Sequence, residues 1–408
     1  MGNVYGDKWG FGEFGVFEMS GAVQGWLTSC IGEVIEDIAD GGTPNTNKTN
    51  YFNGDIPWVV IQDIHPRINT TRMNLTEQGL TSCSAKLWPV GTIILSTGAT
   101  IGEVGIAATP LATKQGIVGI VCKQKILNRF LYYKLLGLKS YLRANAQGST
   151  IKEIRPDFIR SISIEYPADI NEQNCIAKIL EQLDQAIEQT QAIIAKQQRI
   201  KTGLMQDLLT KGIDKNGNIR SESTHEFKDS PLGRIPVDWK PTTLGRVASL
   251  QRGYDIVEAE FVIGVFPVIS SSGIIGYHNL STVCGPNVVV GRKGSIGNVH
   301  FVVTDFFGNS EKYIYYLLTY LNLGQYGTKS GSPSLNRNDI HPLAIGLPDT
   351  TEQKTIAEYL SVQDTLLRQF QIYHSKISRL KTGLMHDLLT GKVRVTDIQN
   401  PTLTPESI

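Results

Sequence analysis

The sequence predicts an α+β chain of two globular domains in tandem, each followed by a long α-helix that carries a coiled-coil seam. Three observations predict it. Residues 171–212 align without a gap on residues 351–392, at an offset of 180, with 19 of 42 positions identical. Within each copy, apolar residues recur in alternating steps of four and three, the pattern of helices that supercoil on a partner. Short tokens ahead of each copy also repeat, so the whole 408-residue chain is a tandem duplication.

The first domain spans residues 1–168. Residues 1–25 are Gly-rich and aromatic and find no place in the pattern. GFGEFG at 10–15 has the spacing of a glycine loop, yet it precedes every predicted strand and lacks the context of a cofactor site. Residues 56–60, 92–95 and 116–121 are short β-rich runs punctuated by Gly and Pro. Residues 130–146 read as a helix with Leu131, Leu135, Leu138 and Leu142 apolar, and residues 159–164 as a final strand. The first long helix fills 169–212. Asp169 and Glu172, just after Pro167, suit its N-terminus as a cap and an acidic first turn. Its seam runs Ile176, Leu180, Leu183, Ile187, Thr190, Ile194, Gln197, Lys201, Leu204 and Leu208. At 1.5 Å per residue, about 40 residues make a rod of roughly 60 Å.

Residues 213–238 are polar and rich in Gly, Ser, Asn and Pro, which marks a linker. The second domain, 239–348, then repeats the first. Trp239 and Gly245 match Trp26 and Gly32. Ser295-Ile296-Gly297 matches Thr100-Ile101-Gly102, and Ile314-Tyr315-Tyr316 matches Leu131-Tyr132-Tyr133. The offsets fall from 213 through 195 and 183 to 180, so this domain is 33 residues shorter. Eighteen are lost before the Gly turn, 12 in the middle and three near the end. The 12-residue loss predicts that the second domain lacks the strand that Lys114 to Val121 forms in the first.

The second long helix fills 349–392, capped by Asp349 and Glu352, and a tail occupies 393–408. Its seam is Ile356, Leu360, Gln363, Leu367, Phe370, His374, Ile377, Lys381, Leu384 and Leu388, with His374 as a polar residue that sets register. Helix–helix packing falls to Leu180, Leu183, Ile187, Ile194, Leu204 and Leu208 on the first copy. On the second it falls to Leu360, Leu367, Phe370, Ile377, Leu384 and Leu388. Gly203 and Gly383 sit inside these helices at a cost of about 1 kcal/mol against Ala. Close approach of another helix would offset it; local fraying is the alternative.

Composition narrows the class. Hydrophobic residues are 41% and charged residues 19%, an ordinary globular mix. No apolar run approaches the roughly 18 residues that span a bilayer. The N-terminus has acids and no apolar core of a signal peptide, and Gly6 stands where myristoylation needs Ser or Thr. Five scattered cysteines without a CxxC read as reduced thiols of a cytoplasmic protein. The net charge of +1 hides an asymmetry: residues 45–168 carry 14 basic and seven acidic groups, and residues 240–348 eight and six. A basic globular segment suits a polyanion, and equally a solvated surface.

No catalytic set emerges. Walker A, HExxH, GxSxG and the Asn-Pro-Pro-aromatic motif are all missing, and the histidines lack metal-ligand spacing. Pro348-Asp349 with Glu352-Gln353-Lys354 mimics a nuclease motif. Its acids share one helical turn, with no strand to aim both at a metal, so a helix cap is the better reading.

Duplicated domains on long helices, without catalysis, suggest a ruler that binds two sites. Taken together, the tokens resemble the specificity subunit of type I restriction–modification enzymes, from Trp26 to Lys392. They are Gly41-Gly42-Thr43-Pro44, Gly54-Asp55-Ile56-Pro57-Trp58-Val59, Ser96-Thr97-Gly98-Ala99-Thr100-Ile101-Gly102, Gly116-Ile117 and Gly148-Ser149-Thr150. In the second half they are residues 273–279, residues 291–299 and Lys381-Thr382-Gly383-Leu384-Met385. The resemblance implies two target-recognition domains, each reading half of a split double-stranded DNA sequence. It implies antiparallel helices that dock two modification subunits, with restriction subunits joining the larger complex. Methyl transfer and ATP-driven cleavage would belong to those partners, so this chain would hold no S-adenosylmethionine, ATP or Mg²⁺. The first half departs from the family by lacking the entry motif that Leu232 to Trp239 supplies to the second.

Candidate DNA contacts follow. The Gly turns at 97–102 and 293–297, with Thr97 and Gly98 in the first, could bring backbone N–H groups to phosphate; a plain tight hairpin is the alternative. Arg292 and Lys293 flank the second turn. Lys114, Gln115, Arg67 and Arg72 are candidates in the first domain, and Arg252 and Tyr254 in the second. A stand-alone DNA-binding scaffold without a methyltransferase, and an enzyme with a divergent site, are the rival readings.

Overall fold

The computed structural model describes residues 23–148, 152–251, 262–270, 273–283, 285, 287–289, 303–327 and 335–395. It divides into two compact units, residues 1–189 with 375–408 and residues 190–374. Each unit therefore joins one globular domain to the first half of its own long helix and the last half of the other.

The first unit opens with β1 (Trp26–Cys30), α1 (Ile31–Val34), β2 (Ile35–Asp40), β3 (Phe52–Val59), β4 (Arg67–Ile68), β5 (Asn74–Leu75) and α2 (Glu77–Thr81). It continues with β6 (Ile93–Ser96), β7 (Val104–Ala107), β8 (Ala112–Thr113), β9 (Ile117–Cys122), α3 (Asn128–Gly137), α4 (Lys139–Ala144), α5 (Pro156–Ser161) and β10 (Ser163–Pro167). A five-stranded sheet has the order β2-β9-β6-β7-β4, a three-stranded sheet the order β5-β3-β8, and β1 pairs with β10. β9 reads as an unbroken apolar run because both its faces are covered. Val118 and Ile120 join the main core with Ile35, Ile93 and Phe130, while Ile117 joins a second cluster with Val59, Trp88 and Leu111.

Two expectations need correction here. The helix foreseen over residues 130–146 is two helices, α3 and α4, broken at Leu138, whose N–H is shared between the carbonyls of Lys134 and Leu135. The first half of the strand foreseen over 159–164 is helix. Pro156 at the first helical position presets α5, which buries Ile159, and the strand β10 starts only at Ser163.

α6 (Ile170–Thr210) follows and crosses into the second unit. There the chain forms β11 (Phe227–Ser230), β12 (Gly233–Pro236), β13 (Lys240–Thr243), β14 (Ser249–Leu250), β15 (Phe266–Ser270) and β16 (Gly273–His278). Next come β17 (Val303–Asp305), α7 (Glu311–Tyr320), α8 (Arg337–Ile340), β18 (Ala344–Leu347) and α9 (Thr350–Leu389). The stretch read as a linker holds the β11–β12 hairpin. Every sheet among the described residues of this unit is two-stranded. The missing-strand expectation also needs refinement. β17 pairs with β14 as the end of β9 pairs with β2, so a strand does stand here, with three residues among those described where β9 has six.

Both long helices begin as their acids suggested. Asp169 accepts from Asn171 N–H at 2.8 Å, and Asp349 accepts from Thr351 and Glu352 N–H, both at 2.9 Å. Leu180, Leu208, Leu360, Leu367, Ile377 and Leu388 are buried. Leu183, Ile187, Ile194, Leu204, Phe370, His374 and Leu384 are half-buried. Gly203 and Gly383 are otherwise than expected. Both are exposed inside continuous helix, and a Cβ on either would meet nothing within 4 Å. Neither a close helix nor fraying explains them, since they face away from the packed side.

Candidate nucleic-acid interface

Each unit ties its domain to both long helices with the same parts. In the first, Tyr133 donates to Asp184 at 2.8 Å, Asp184 pairs with Lys381, and the Lys381 amine lies 5.7 Å from the Tyr133 ring centre. In the second, Tyr316 donates to Asp364 at 2.7 Å, Asp364 pairs with Lys201, and that amine lies 5.9 Å from the Tyr316 ring centre. Burial, then the facing aspartate, raises both phenols above their ordinary value, so they stay protonated donors.

A second knot holds each helix start. Glu172 accepts from Arg394 at 2.6 and 2.8 Å and from the Trp26 indole at 3.4 Å. Glu352 accepts from Arg220, from the Trp239 indole at 3.2 Å and from Ile213 N–H at 2.9 Å. In the first unit, Glu172 meets a residue past the end of α9 while Asp184, further along, meets Lys381, further back. The helix segments therefore run antiparallel, and the second unit repeats this with Glu352–Arg220 and Asp364–Lys201. Lys134, buried in α3, donates to the Leu389 carbonyl at 2.8 Å and so caps α9; burial pushes its amine down to about 8.

Four of the candidate DNA contacts of the first domain, Thr97, Gly98, Lys114 and Gln115, gather at two crossed turns. Thr97 and Gly98 N–H both donate to the Gly116 carbonyl, at 2.9 and 3.1 Å. Gly98 and Gly116 lie against each other, and Gly116 has φ +82°, where a side chain would be strained. Asp40 accepts from Gly116 N–H at 2.9 Å. This fixes Lys114 and Gln115 beside the Gly turn, both exposed, with the Lys114 amine 6.0 Å from the Trp58 ring centre. Behind them Gly41 and Gly42 let the backbone approach Thr113 and Ala85 where a Cβ would collide at 2.2 Å. Thr97 itself is buried, and its hydroxyl has no hydrogen-bond partner among the described residues.

Lys114 N–H donates to Val59, and Val60 N–H donates to buried Asp63, which pairs with exposed Arg72 at 3.6 Å. Arg67 stands apart, exposed on the edge strand β4. Arg252, Tyr254, Arg292 and Lys293 lie outside the described residues. Sequence reasoning missed Lys139 and Arg143, which clamp the Gly turn through Glu103 at 2.7 and 3.8 Å, and Arg143 also donates to the Ile101 carbonyl at 3.0 Å. It also missed the helix knots. One signal was present: Glu172/Glu352, Asp184/Asp364 and Lys201/Lys381 are charged residues identical between copies. Arg220 and Arg394 gave no such signal, because they sit at different distances past their helices. Among the described residues no group of three or more His, Cys, Asp or Glu could hold a metal, and no helix is long and apolar enough to cross a membrane.

Comparison with known proteins places this arrangement. Residues 24–197 and 236–380 match the family model described as type I restriction modification DNA specificity domain. The EcoprrI specificity subunit of Escherichia coli is 25% identical over 393 residues, covering 90% of this chain and 92% of that one. The MjaIX specificity subunit of Methanocaldococcus jannaschii is 31% identical over 232 residues, covering 55% of this chain and 52% of its own length. Among solved structures, a type I restriction–modification S subunit from M. genitalium superposes with a TM-score of 0.58 at 16% identity. It covers 89% of this chain and 96% of its own. A chain from a study of type I system assembly and conformational transition gives 0.54 at 15% identity, covering 91% and 99%.

Proposed function

The chain belongs to the type I restriction modification DNA specificity family, and from that premise we propose that it is the DNA sequence-specificity subunit of such a complex. Its two recognition domains are set on the two halves of a bipartite target. The mirrored knots carry this reading: the same Tyr–Asp–Lys and Glu–Arg–Trp contacts fasten each domain to the same two helices. In this reading the two long helices set the distance between the two half-sites. The helices, paired as an antiparallel coiled coil through the buried seam, act as that spacer and dock two modification subunits. Restriction subunits join the larger assembly.

In the first domain, Lys114 and Gln115, beside the Gly98–Gly116 crossing, and Arg72, paired with Asp63, meet DNA; exposed cations steer and hold phosphate, and polar side chains read base edges. Methyl transfer belongs to the modification subunits, and the complex works in the cytoplasm. The isolated chain binds DNA weakly, with strong salt dependence, and methylates nothing. Co-expression with the cognate modification subunit, followed by mapping of modified bases, gives adenine methylation at one bipartite sequence. Methylation by the chain alone, or none with the partner present, refutes the assignment and favours a stand-alone scaffold in the latter case.

A further inference from the structure

The turn that carries Lys114 and Gln115 is held more tightly than an exposed turn needs. Ile117 N–H donates to the Lys114 carbonyl at 3.0 Å, and of the two residues between them only Gly116 has a positive φ, +82°. Gln115 and Gly116 are therefore the central residues of a type II turn. Residues 113, 114, 116 and 117 are all pinned by other segments. Thr113 accepts from Gly42 N–H at 2.9 Å, and Lys114 N–H donates to the Val59 carbonyl at 3.0 Å. Gly116 N–H donates to the Asp40 carboxylate at 2.9 Å, and Ile117 accepts from Gly41 N–H at 3.1 Å. The Gly116 carbonyl takes both Thr97 and Gly98 N–H. Gln115 thus leaves the surface from a backbone fixed on both sides.

The Gly turn laid against it is built as firmly. Ser96 donates to the Thr100 carbonyl and accepts from Glu103 N–H at 2.8 Å. Ala99, at the tip, sits at φ +36°, a conformation that a residue with a Cβ keeps only where its surroundings fix it. Ala99 and Thr100 are exposed, but their side chains are short. Lys114 offers a point charge, its amine 6.0 Å from the Trp58 ring centre. Among the described residues of this crossing, Gln115 is the one exposed side chain with both an amide N–H and a carbonyl oxygen, and it spends neither on the protein.

We infer that Gln115 is a specificity-determining residue that reads one adenine in the major groove, and that Asp40 is the positioning residue that aims it. This rests on the proposed specificity role. The Gln115 carbonyl accepts from the adenine N6 amine while its amide donates to N7, a pairing that no other base edge offers. Both bonds form together only if the fork starts from a fixed place, which the Asp40 contact to Gly116 supplies. Lys114, one residue earlier, holds phosphate and carries no sequence information.

The test uses the full chain with its modification subunit on double-stranded DNA randomised in both half-sites. Bound and methylated molecules are both sequenced, so a variant too weak to support methylation still reports its preference. Gln115→Ala brings an A·T preference of at least about fivefold at one position below about twofold and leaves the other positions unchanged. Gln115→Glu, which can only accept, moves that position toward C·G. Asp40→Ala relaxes the same position, and added to Gln115→Ala it changes the preference by less than about twofold. Asp40→Asn keeps most of the preference, because its side-chain oxygen still accepts from Gly116. Lys114→Ala weakens binding alike on all sequences and lowers the salt slope by about one. Unchanged preferences in Gln115→Ala, or a loss at a G·C pair or at several positions, overturn the inference and leave the subunit assignment standing. An Asp40→Ala effect at a different position, or one that Asp40→Asn shares in full, also overturns it. A wild-type complex that methylates nothing overturns the assignment and the inference together.

Discussion

Replacing Glu352 by Ala should damage the second unit more than its place on a helix start would suggest. The carboxylate is 9% exposed and its partner Arg220 is 11% exposed, so the pair is effectively dry. Truncation removes both guanidinium contacts, the Trp239 indole contact at 3.2 Å and the Ile213 N–H contact at 2.9 Å. Arg220 keeps one weak acceptor, the Lys211 carbonyl at 3.4 Å. Breaking one side of a buried pair costs about 3–5 kcal/mol, because the remaining charge stays out of water. The unpaired indole and amide each add about 1 kcal/mol, not fully additive. A total of about 4–5 kcal/mol follows, and Arg220→Met added to Glu352→Ala should restore part of it. Denaturant unfolding of the full chain measures the total, and a double-mutant cycle measures the coupling. Hydrogen exchange at the Ile213 amide reads the knot directly and should speed up by orders of magnitude. A loss below about 1 kcal/mol, with Ile213 still protected, would show that solvent or another acceptor replaces Glu352 and refute the buried-knot account.

Three further outcomes are expected. Leu367→Asp, at a 5% exposed seam position, should cost several kcal/mol, while Val362→Asp, 64% exposed on the same helix, should stay within about 0.5 kcal/mol by thermal unfolding. Gly203→Ala and Gly383→Ala should each stabilise by about 0.5–1 kcal/mol in denaturant titrations, since a Cβ meets nothing and the unfolded chain loses freedom. Lys134 has a folded-state pKa of about 8 against an ordinary 10.5. Between those values the unfolded chain holds a proton that the folded chain has released, so the Lys134 contribution makes stability rise with pH there. Lys134→Met should remove that rise, on the order of 3 kcal/mol at most, without harming the fold. Its repeat counterpart Leu317 is already apolar. Identical slopes for wild type and variant between pH 8 and 10.5 would show that the amine is not desolvated.

The sequence by itself determined much of what rests on local periodicity and on the repeat, but neither the break at Leu138 nor the helix over Pro156–Ser161. Both helices, their caps at Asp169 and Asp349 and the buried run of β9 were legible because each is written in residues close together along the chain. The family was legible for the same reason, since its tokens survive in both halves. Tertiary structure alone decided which distant segments share a dry space. Glu172 finds Arg394 and Glu352 finds Arg220, separated by 222 and 132 residues and at unmatched distances past their helices, so no spacing announces them. Likewise only the fold lays Gly98 on Gly116 and thereby puts Lys114 and Gln115 beside the Gly turn. It alone shows Gly203 and Gly383 facing open space, because what a helical glycine adjoins depends on the neighbouring element and not on its own helix. The effect of the 12-residue loss was half visible. The count was in the sequence, but which strands of the first domain lie beside one another, as β8 lies beside β3, depends on strand order, which pairs residues more than 50 positions apart.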